Sequence, residues 1–149
     1  CAMKPAPGVD GKQLRYILLV IDHFSKFVWG KAFPTKEAKP VAEFLGEIFE
    51  ETGIPEHLHS DNAKEFIAAI GILKDRYDFD EAHGRPYHPQ SQGVIERAVG
   101  TITRMLTKQL LTSTTPWPLL LSNVIAAYNV TGHSVTKFPP FQVSAAFDI

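Results

Sequence analysis

Sixteen Asp and Glu are spread through the 149 residues, and two of them stand where a carboxylate can do chemistry. Asp61 follows His57-Leu58-His59-Ser60, in a short segment that predicts a strand over 56–60. An acid projecting from a strand end into a crevice is a recurrent ligand for a hard cation. On spacing alone, a turn or helix-cap role accounts for Asp61 equally well. Directly after the turn-rich segment Pro89-Gln90-Ser91-Gln92-Gly93, part of a predicted loop over 84–93, comes a long predicted helix, and Glu96 falls in its first turn. There the helix dipole by itself favours an exposed acid by well under ~1 kcal/mol. Taken as a pair, a strand-end Asp and a helix Glu can meet at a sheet edge and share one or two Mg²⁺ ions, the arrangement that in-line phosphoryl transfer uses. Glu47, Glu50 and Glu51 lie on a different predicted helix and read as solvated surface charge.

Other side chains admit a chemical and a plain reading. Arg97, Arg104 and Lys108 recur at i, i+7 and i+11 and share one helix face, which suits either a phosphate stripe or a solvated surface. On a strand, His57 and His59 would point the same way and could bind zinc with Asp61, although ordinary hydrogen-bonded histidines account for them better. Trp29 and Trp117 read as core or interface anchors rather than base-stacking platforms.

The elements that must position these groups can be read from periodicity and punctuation. Leu14 to Ile21 has the length and Ile/Leu/Val content of a buried strand, and a second strand over Lys26 to Phe33 follows the turn Asp22-His23-Phe24-Ser25. Thr35 caps a predicted helix with apolar Val41, Phe44, Leu45 and Ile48, ended by Gly53 with Pro55 beyond. A helix from about Ala63 to Asp75 and a weaker strand over Tyr77 to His83 come next. The long helix runs from Val94 to about Leu111, with Ile95, Ala98, Val99, Ile102, Met105, Leu106 and Leu110 as one apolar stripe. Pro116 and Pro118 flank Trp117 at the start of another helix reaching about Tyr128, and Pro139-Pro140 opens a last short one. Strands interleaved with helices, then helices alone, argue for an α/β domain, a mixed sheet covered by helices.

Composition narrows the class. A net charge of -1 and a pI near 6.6 give no global basic field, so any nucleic-acid contact must be local or borrowed from another domain. The single cysteine, Cys1, allows no internal disulfide and no Cys-based zinc cluster. The apolar run Tyr16 to Ile21 is far shorter than the roughly 20 residues of a membrane helix, and the start shows no secretory pattern. With no repeat, charge block or low-complexity tract, residues 1–149 read as one intracellular domain.

Two segments carry a resemblance: Leu58-His59-Ser60-Asp61-Asn62-Ala63-Lys64-Glu65-Phe66, and Pro86-Tyr87-His88-Pro89-Gln90-Ser91-Gln92-Gly93-Val94-Ile95-Glu96-Arg97. They resemble the catalytic core of retroviral and gypsy-type LTR retrotransposon integrases, with 34 residues between Asp61 and Glu96. Tyr16-Ile17-Leu18-Leu19-Val20-Ile21-Asp22-His23-Phe24-Ser25-Lys26-Phe27 and Ala127-Tyr128-Asn129 with His133 extend the likeness over nearly the whole chain. It implies an RNase H-like fold, with a mixed central sheet flanked by helices. The implied activity is DNA strand transfer by a polynucleotidyl transferase that uses Mg²⁺ or Mn²⁺, Asp61 and Glu96 being catalytic metal ligands. The further implications are DNA ends and target DNA as partners, a homodimer, a nuclear location, and Gln90, Ser91 and Gln92 touching a DNA end beside the phosphate stripe Arg97, Arg104 and Lys108.

The match has gaps. The family's first catalytic Asp falls at or before Cys1, on a first strand that reads as truncated, and no aspartate here takes its place. Asp10 reads as a solvated turn residue and Asp22 as a structural turn residue. With two of three carboxylates the metal is expected to be weakly held and activity impaired. The family usually has Gly where this chain has Ala63, and a positive φ would cost the methyl-bearing residue ~1 kcal/mol or more; it often has Asn where Val99 stands. A domesticated, catalytically dead core serving as a dimerisation or interaction module, with Trp117, Leu119, Leu120 and Leu121 as an apolar patch, is the competing reading. A stand-alone RNase H-like nuclease is a third, disfavoured by the integrase-like Pro-Gln-Ser-Gln-Gly run. With the local positive charge this small, DNA binding by residues 1–149 should nearly vanish by roughly 0.2 M salt; fluorescence anisotropy with a labelled duplex checks this, and tight binding at that salt would contradict it.

Overall fold

The computed structural model describes residues 2–8, 13–60, 63–77, 89–131 and 137–140. Its elements are β1 (Ala2–Pro7), β2 (Gln13–Ile21), β3 (Val28–Phe33), α1 (Ala38–Thr52), α2 (Lys64–Arg76), α3 (Pro89–Thr112) and α4 (Trp117–Val130). Contacts group them into two compact units, Cys1–Pro34 with His88–Ile149, and Thr35–Tyr87.

In the first unit three strands form an antiparallel sheet in the order β1-β2-β3. β2 and β3 pair from Tyr16↔Phe33 to Ile21↔Val28. Their register is set by the turn between them. The Asp22 carboxylate accepts the Ser25 N–H at 2.9 Å and the Ser25 hydroxyl accepts the Phe27 N–H at 3.1 Å. Lys26 closes the turn at φ 65°, and its ammonium donates to the His23 carbonyl. Asp22 thus has the structural place expected of it. β1 loses register against β2 between Ala2 and Ala6, where Pro5 has no N–H to give a ladder. The Lys4 carbonyl in that stretch accepts the Trp117 indole N–H at 2.8 Å.

α4 lies on β3 and α3 packs against α4. The core of this unit gathers Ala6, Val28, Ala98, Ile102, Leu106, Trp117, Leu120, Leu121, Val124 and Tyr128. α4 approaches the sheet so closely that a Cβ on Gly30 would fall 2.2 Å from the Ile125 Cδ1. One buried side chain fixes the approach: Asn129 Oδ1 accepts the Val28 N–H at 2.9 Å, and Asn129 Nδ2 donates to the Val28 carbonyl at 2.8 Å. The carboxamide takes the place of a neighbouring strand residue at the start of β3.

In the second unit α1 and α2 pack together. α1 buries Val41, Phe44, Leu45, Ile48 and Phe49 at helical spacing, and α2 buries Ala69, Ile70 and Leu73. Gly53 ends α1 at φ 91°, donating its N–H to the Phe49 carbonyl at 2.8 Å, the αL-compatible stop that glycine supplies. Tyr77 meets Phe49 edge-on at 5.9 Å and donates to Glu50 at 3.0 Å.

Several expectations need correction. The cap of α1 is Glu37, in extended conformation and without a side-chain bond. A start capped by Thr35 would place Pro40 at the fifth helical position, where its missing N–H is required; a start at Ala38 places it third, where none is. Residues 56–60 pair with no strand, so the sheet among the described residues is wholly antiparallel. The weak strand over 77–83 and the final helix lie almost entirely outside the described residues, as do Asp10 and His133. Leu110 is 37% exposed and the core reaches no further along α3 than Leu106. Of the expected apolar patch, Trp117, Leu120 and Leu121 are buried and only Leu119 is exposed, because the 3.6-residue period turns 117, 120, 121, 124 and 128 inward together. No helix among the described residues is long and apolar enough to cross a membrane.

Truncating Asn129 to alanine leaves the Val28 N–H and carbonyl buried and unpaired, and should lower stability in urea unfolding by about 3 kcal/mol. Asn129→Asp, which keeps an acceptor but loses the donor, should also destabilise; a wild-type urea midpoint for both variants would refute this role for the carboxamide.

Candidate functional site

α3 carries most of the predicted site and is longer than expected. Helix begins at Pro89, so Gln90, Ser91 and Gln92 belong to its first turn and not to a loop. Proline at the first helical position surrenders an N–H that has no partner there anyway. Once the downstream segment has paid for nucleation, adding residues at its front costs only their propensities, about 1 kcal/mol for Gly93. A Cβ at Gly93 would meet nothing within 4 Å, so no contact demands glycine at that place. The early start puts Glu96 at the end of the second turn, and no acid occupies the first; the dipole, which fades within one turn, does not explain Glu96.

The buried side of α3 shows Ala98, Ile102 and Leu106, while Glu96, Arg97, Arg104 and Lys108 are all exposed. The three cations share a face as their spacing requires, and Glu96 is about 100° from Arg97 around the helix. Arg104 donates to the Thr101 hydroxyl at 3.2 Å and lies over Gly100, where a Cβ would come 3.6 Å from Nη1. Val99, where the family often has Asn, is half-buried.

Asp61 lies outside the described residues. Its flanks are described: Ala63 has φ −65° and ψ 138° as the cap of α2, so the strain that a positive φ would bring is absent there. His57 and His59 are exposed in a segment without strand pairing, and the shared face that a strand would have given them is lost. Among the described residues no three His, Cys, Asp or Glu side chains gather as a metal cluster. Trp29 is half-buried with its ring 4.7 Å from that of Phe27, and Trp117 is a core anchor.

Sequence reading gave no role to Tyr128, although Ala127-Tyr128-Asn129 belongs to the matched segments. Its ring is in the core at 9% exposure. Burial pushes the phenol above its ordinary value of 10.0, against a smaller opposing pull from the positive charge of Arg97. Tyr77 is also raised, chiefly by its hydrogen bond to Glu50, in an exposed setting where solvent screens the effect. A raised tyrosine stabilises the fold fully below the unfolded pKa near 10 and loses that contribution as pH climbs through the folded value. Stability should therefore fall above pH ~10, and Tyr128→Phe should flatten that decline in urea unfolding measured from pH 8 to 11; an equal slope in both proteins would refute it.

Comparison with known proteins places this geometry. The model of the family described as "Integrase core domain" matches residues 5–89. The Pro-Pol polyprotein of feline foamy virus is 34% identical over 150 residues, covering 97% of this chain. The Pol polyprotein of radiation murine leukemia virus (strain Kaplan) is 37% identical over 139 residues, covering 89%. The chain spans only 12% and 23% of these two relatives. Among solved structures, the HTLV-2 integrase catalytic core domain, determined in complex with magnesium in a trimeric form, superposes with a TM-score of 0.72 at 16% identity, over 95% of this chain and 90% of that one. The fold is that of a retroviral integrase catalytic core, RNase H-like.

Proposed function

The chain belongs to the integrase core domain family, and we propose that it serves as the catalytic core of a polynucleotidyl transferase that inserts element DNA into a target. The observation that carries this reading is α3 itself, which displays Glu96, from the second of the two matched motifs, on the same exposed helix as Arg97, Arg104 and Lys108. Asp61 and Glu96 are the metal ligands. Carboxylate oxygens are the donors that Mg²⁺ and Mn²⁺ take, and the Glu96 carboxylate is exposed enough for a hydrated ion to reach, so the donor chemistry fits two ligands of such a site. A bound cation would polarise the phosphodiester and stabilise charge on the attacking and leaving oxygens.

The rest of the work falls to the protein. Glu96 stands on a helix whose Ala98, Ile102 and Leu106 are held in the core, which fixes the direction in which its side chain leaves the backbone. Arg97, Arg104 and Lys108 neutralise backbone phosphates, releasing counterions as they do so. Gln90, Ser91 and Gln92, at the start of the same helix, contact the DNA end. Residues 1–149 supply two of the three carboxylates of the family's triad, so we expect metal affinity in the millimolar range and strand transfer well below that of a complete triad. Self-association, as in the trimeric form of the magnesium-bound HTLV-2 core, and a nuclear location complete the reading.

Titrating Mn²⁺ into the isotope-labelled chain should broaden NMR signals first around Asp61 and Glu96, and Asp61→Asn or Glu96→Gln should abolish that pattern. Broadening without a focus there would dismiss the enzyme reading in favour of an interaction module. Sequencing the parent reading frame upstream of Cys1 is the companion test: an encoded Asp within a few residues, added to the chain, should raise strand transfer on a duplex substrate.

A further inference from the structure

A side chain that the integrase resemblance left without a role lies beside one that it singled out. α3 and α4 are joined by residues 113–116 only and pack against each other. A connection this short sends α4 back along α3, bringing the last turn of α4 to the first half of α3. The core reflects this, since Ala98 of α3 and Tyr128 of α4 belong to one buried cluster. Arg97 precedes Ala98 and is exposed, so it stands at the rim of the packing that holds Tyr128.

The Tyr128 ring is nine-tenths buried, yet its hydroxyl has no hydrogen-bond partner among the described residues. Nor is the hydroxyl sealed in: no side-chain nitrogen or oxygen among the described residues is both fully buried and unpaired. The phenol oxygen therefore keeps some access to solvent, on a side chain whose ring the core holds. A buried ring with an open hydroxyl is a preorganised donor, costing little entropy when a ligand engages it. Burial keeps the phenol protonated, and the charge of Arg97 is felt there.

We propose that Tyr128 is a second DNA-contacting residue, its hydroxyl donating to the same backbone phosphate that Arg97 binds. This rests on the DNA reading above and deepens it. The guanidinium supplies charge and a planar set of donors, while the neutral hydroxyl supplies direction from a fixed point on a second helix. A phosphodiester, whose two non-bridging oxygens share one negative charge, can accept from both.

The two donors differ in a measurable way. Arg97 releases a counterion on binding phosphate, so Arg97→Ala should reduce the slope of log affinity against log salt by about one; Tyr128 carries no charge, so Tyr128→Phe should leave the slope unchanged. Binding of a fluorescent duplex at roughly 50 mM salt is the assay. The expected result is an affinity about five- to tenfold lower in Tyr128→Phe, with the thermal midpoint unchanged, and little further loss when it is added to Arg97→Ala. If Tyr128→Phe binds as tightly as the wild-type chain, the Tyr128 contact is overturned and the DNA reading stands. If the wild-type chain binds no duplex even at this salt, the DNA reading falls and takes the contact with it. Should Tyr128→Phe lower the thermal midpoint, the wild-type protein with ¹³Cζ-labelled tyrosine decides: the Tyr128 signal must move on adding duplex, and a stationary signal overturns the contact.

Discussion

A buried strand edge carries amide and carbonyl groups that must find partners, and at the start of β3 the partner is a single carboxamide. Asn129 takes both the N–H and the carbonyl of Val28 across 101 residues of sequence. That bidentate grip fixes α4 on the sheet in both rotation and translation, since one bond alone would leave the helix free to roll. Gly30 allows the approach by offering no Cβ to Ile125, and the Trp117 indole secures the other end of α4 on the Lys4 carbonyl. α3 packs on α4, so the direction in which Glu96 and Arg97 project is inherited from a polar contact that touches neither. Apolar packing supplies most of the energy for this unit and the carboxamide supplies its register.

Where periodicity and punctuation agree, the sequence predicts the elements found. β2 and β3 follow from two apolar runs joined by a turn whose Asp22 and Ser25 bond their own backbone, and α1 ends at the glycine that marks its stop. Local signals failed where a residue has two uses. Pro89 and Gly93 have the types of helix breakers, although proline is welcome at a helix start and a glycine is carried by the helix that follows it. Thr35 has the residue type of a cap, but Pro40 decides the start of α1 through the N–H it lacks. Residues 56–60 have a strand-like composition without a ladder, and a ladder depends on a partner that a local window does not contain.

The site was legible in its types and less so in its placement. Motif resemblance singles out Glu96 and Asp61 as candidate ligands, and helical arithmetic puts Arg97, Arg104 and Lys108 on one face of α3, where all three are exposed. Tyr128 and Asn129 escape sequence reading because a tyrosine and an asparagine near a helix end have many bland explanations; the structural weight of Asn129 comes from Val28, which lies opposite it in space. The apolar reading of Trp117, Leu120 and Leu121 had the character right and the address wrong, since a partner surface and a core attract the same residues.

The early start of α3 has a mechanical side. Helix termini fray, the outermost turn opening and closing far more often than the interior. Had the helix begun at Val94, Glu96 would belong to that unsteady turn and its carboxylate would swing with each opening. With Pro89 first, two turns, roughly 10 Å of helix, stand between the free end and Glu96. Residues 89–93 are thus the ones that opening from this end reaches first, with the backbone of Glu96 behind them.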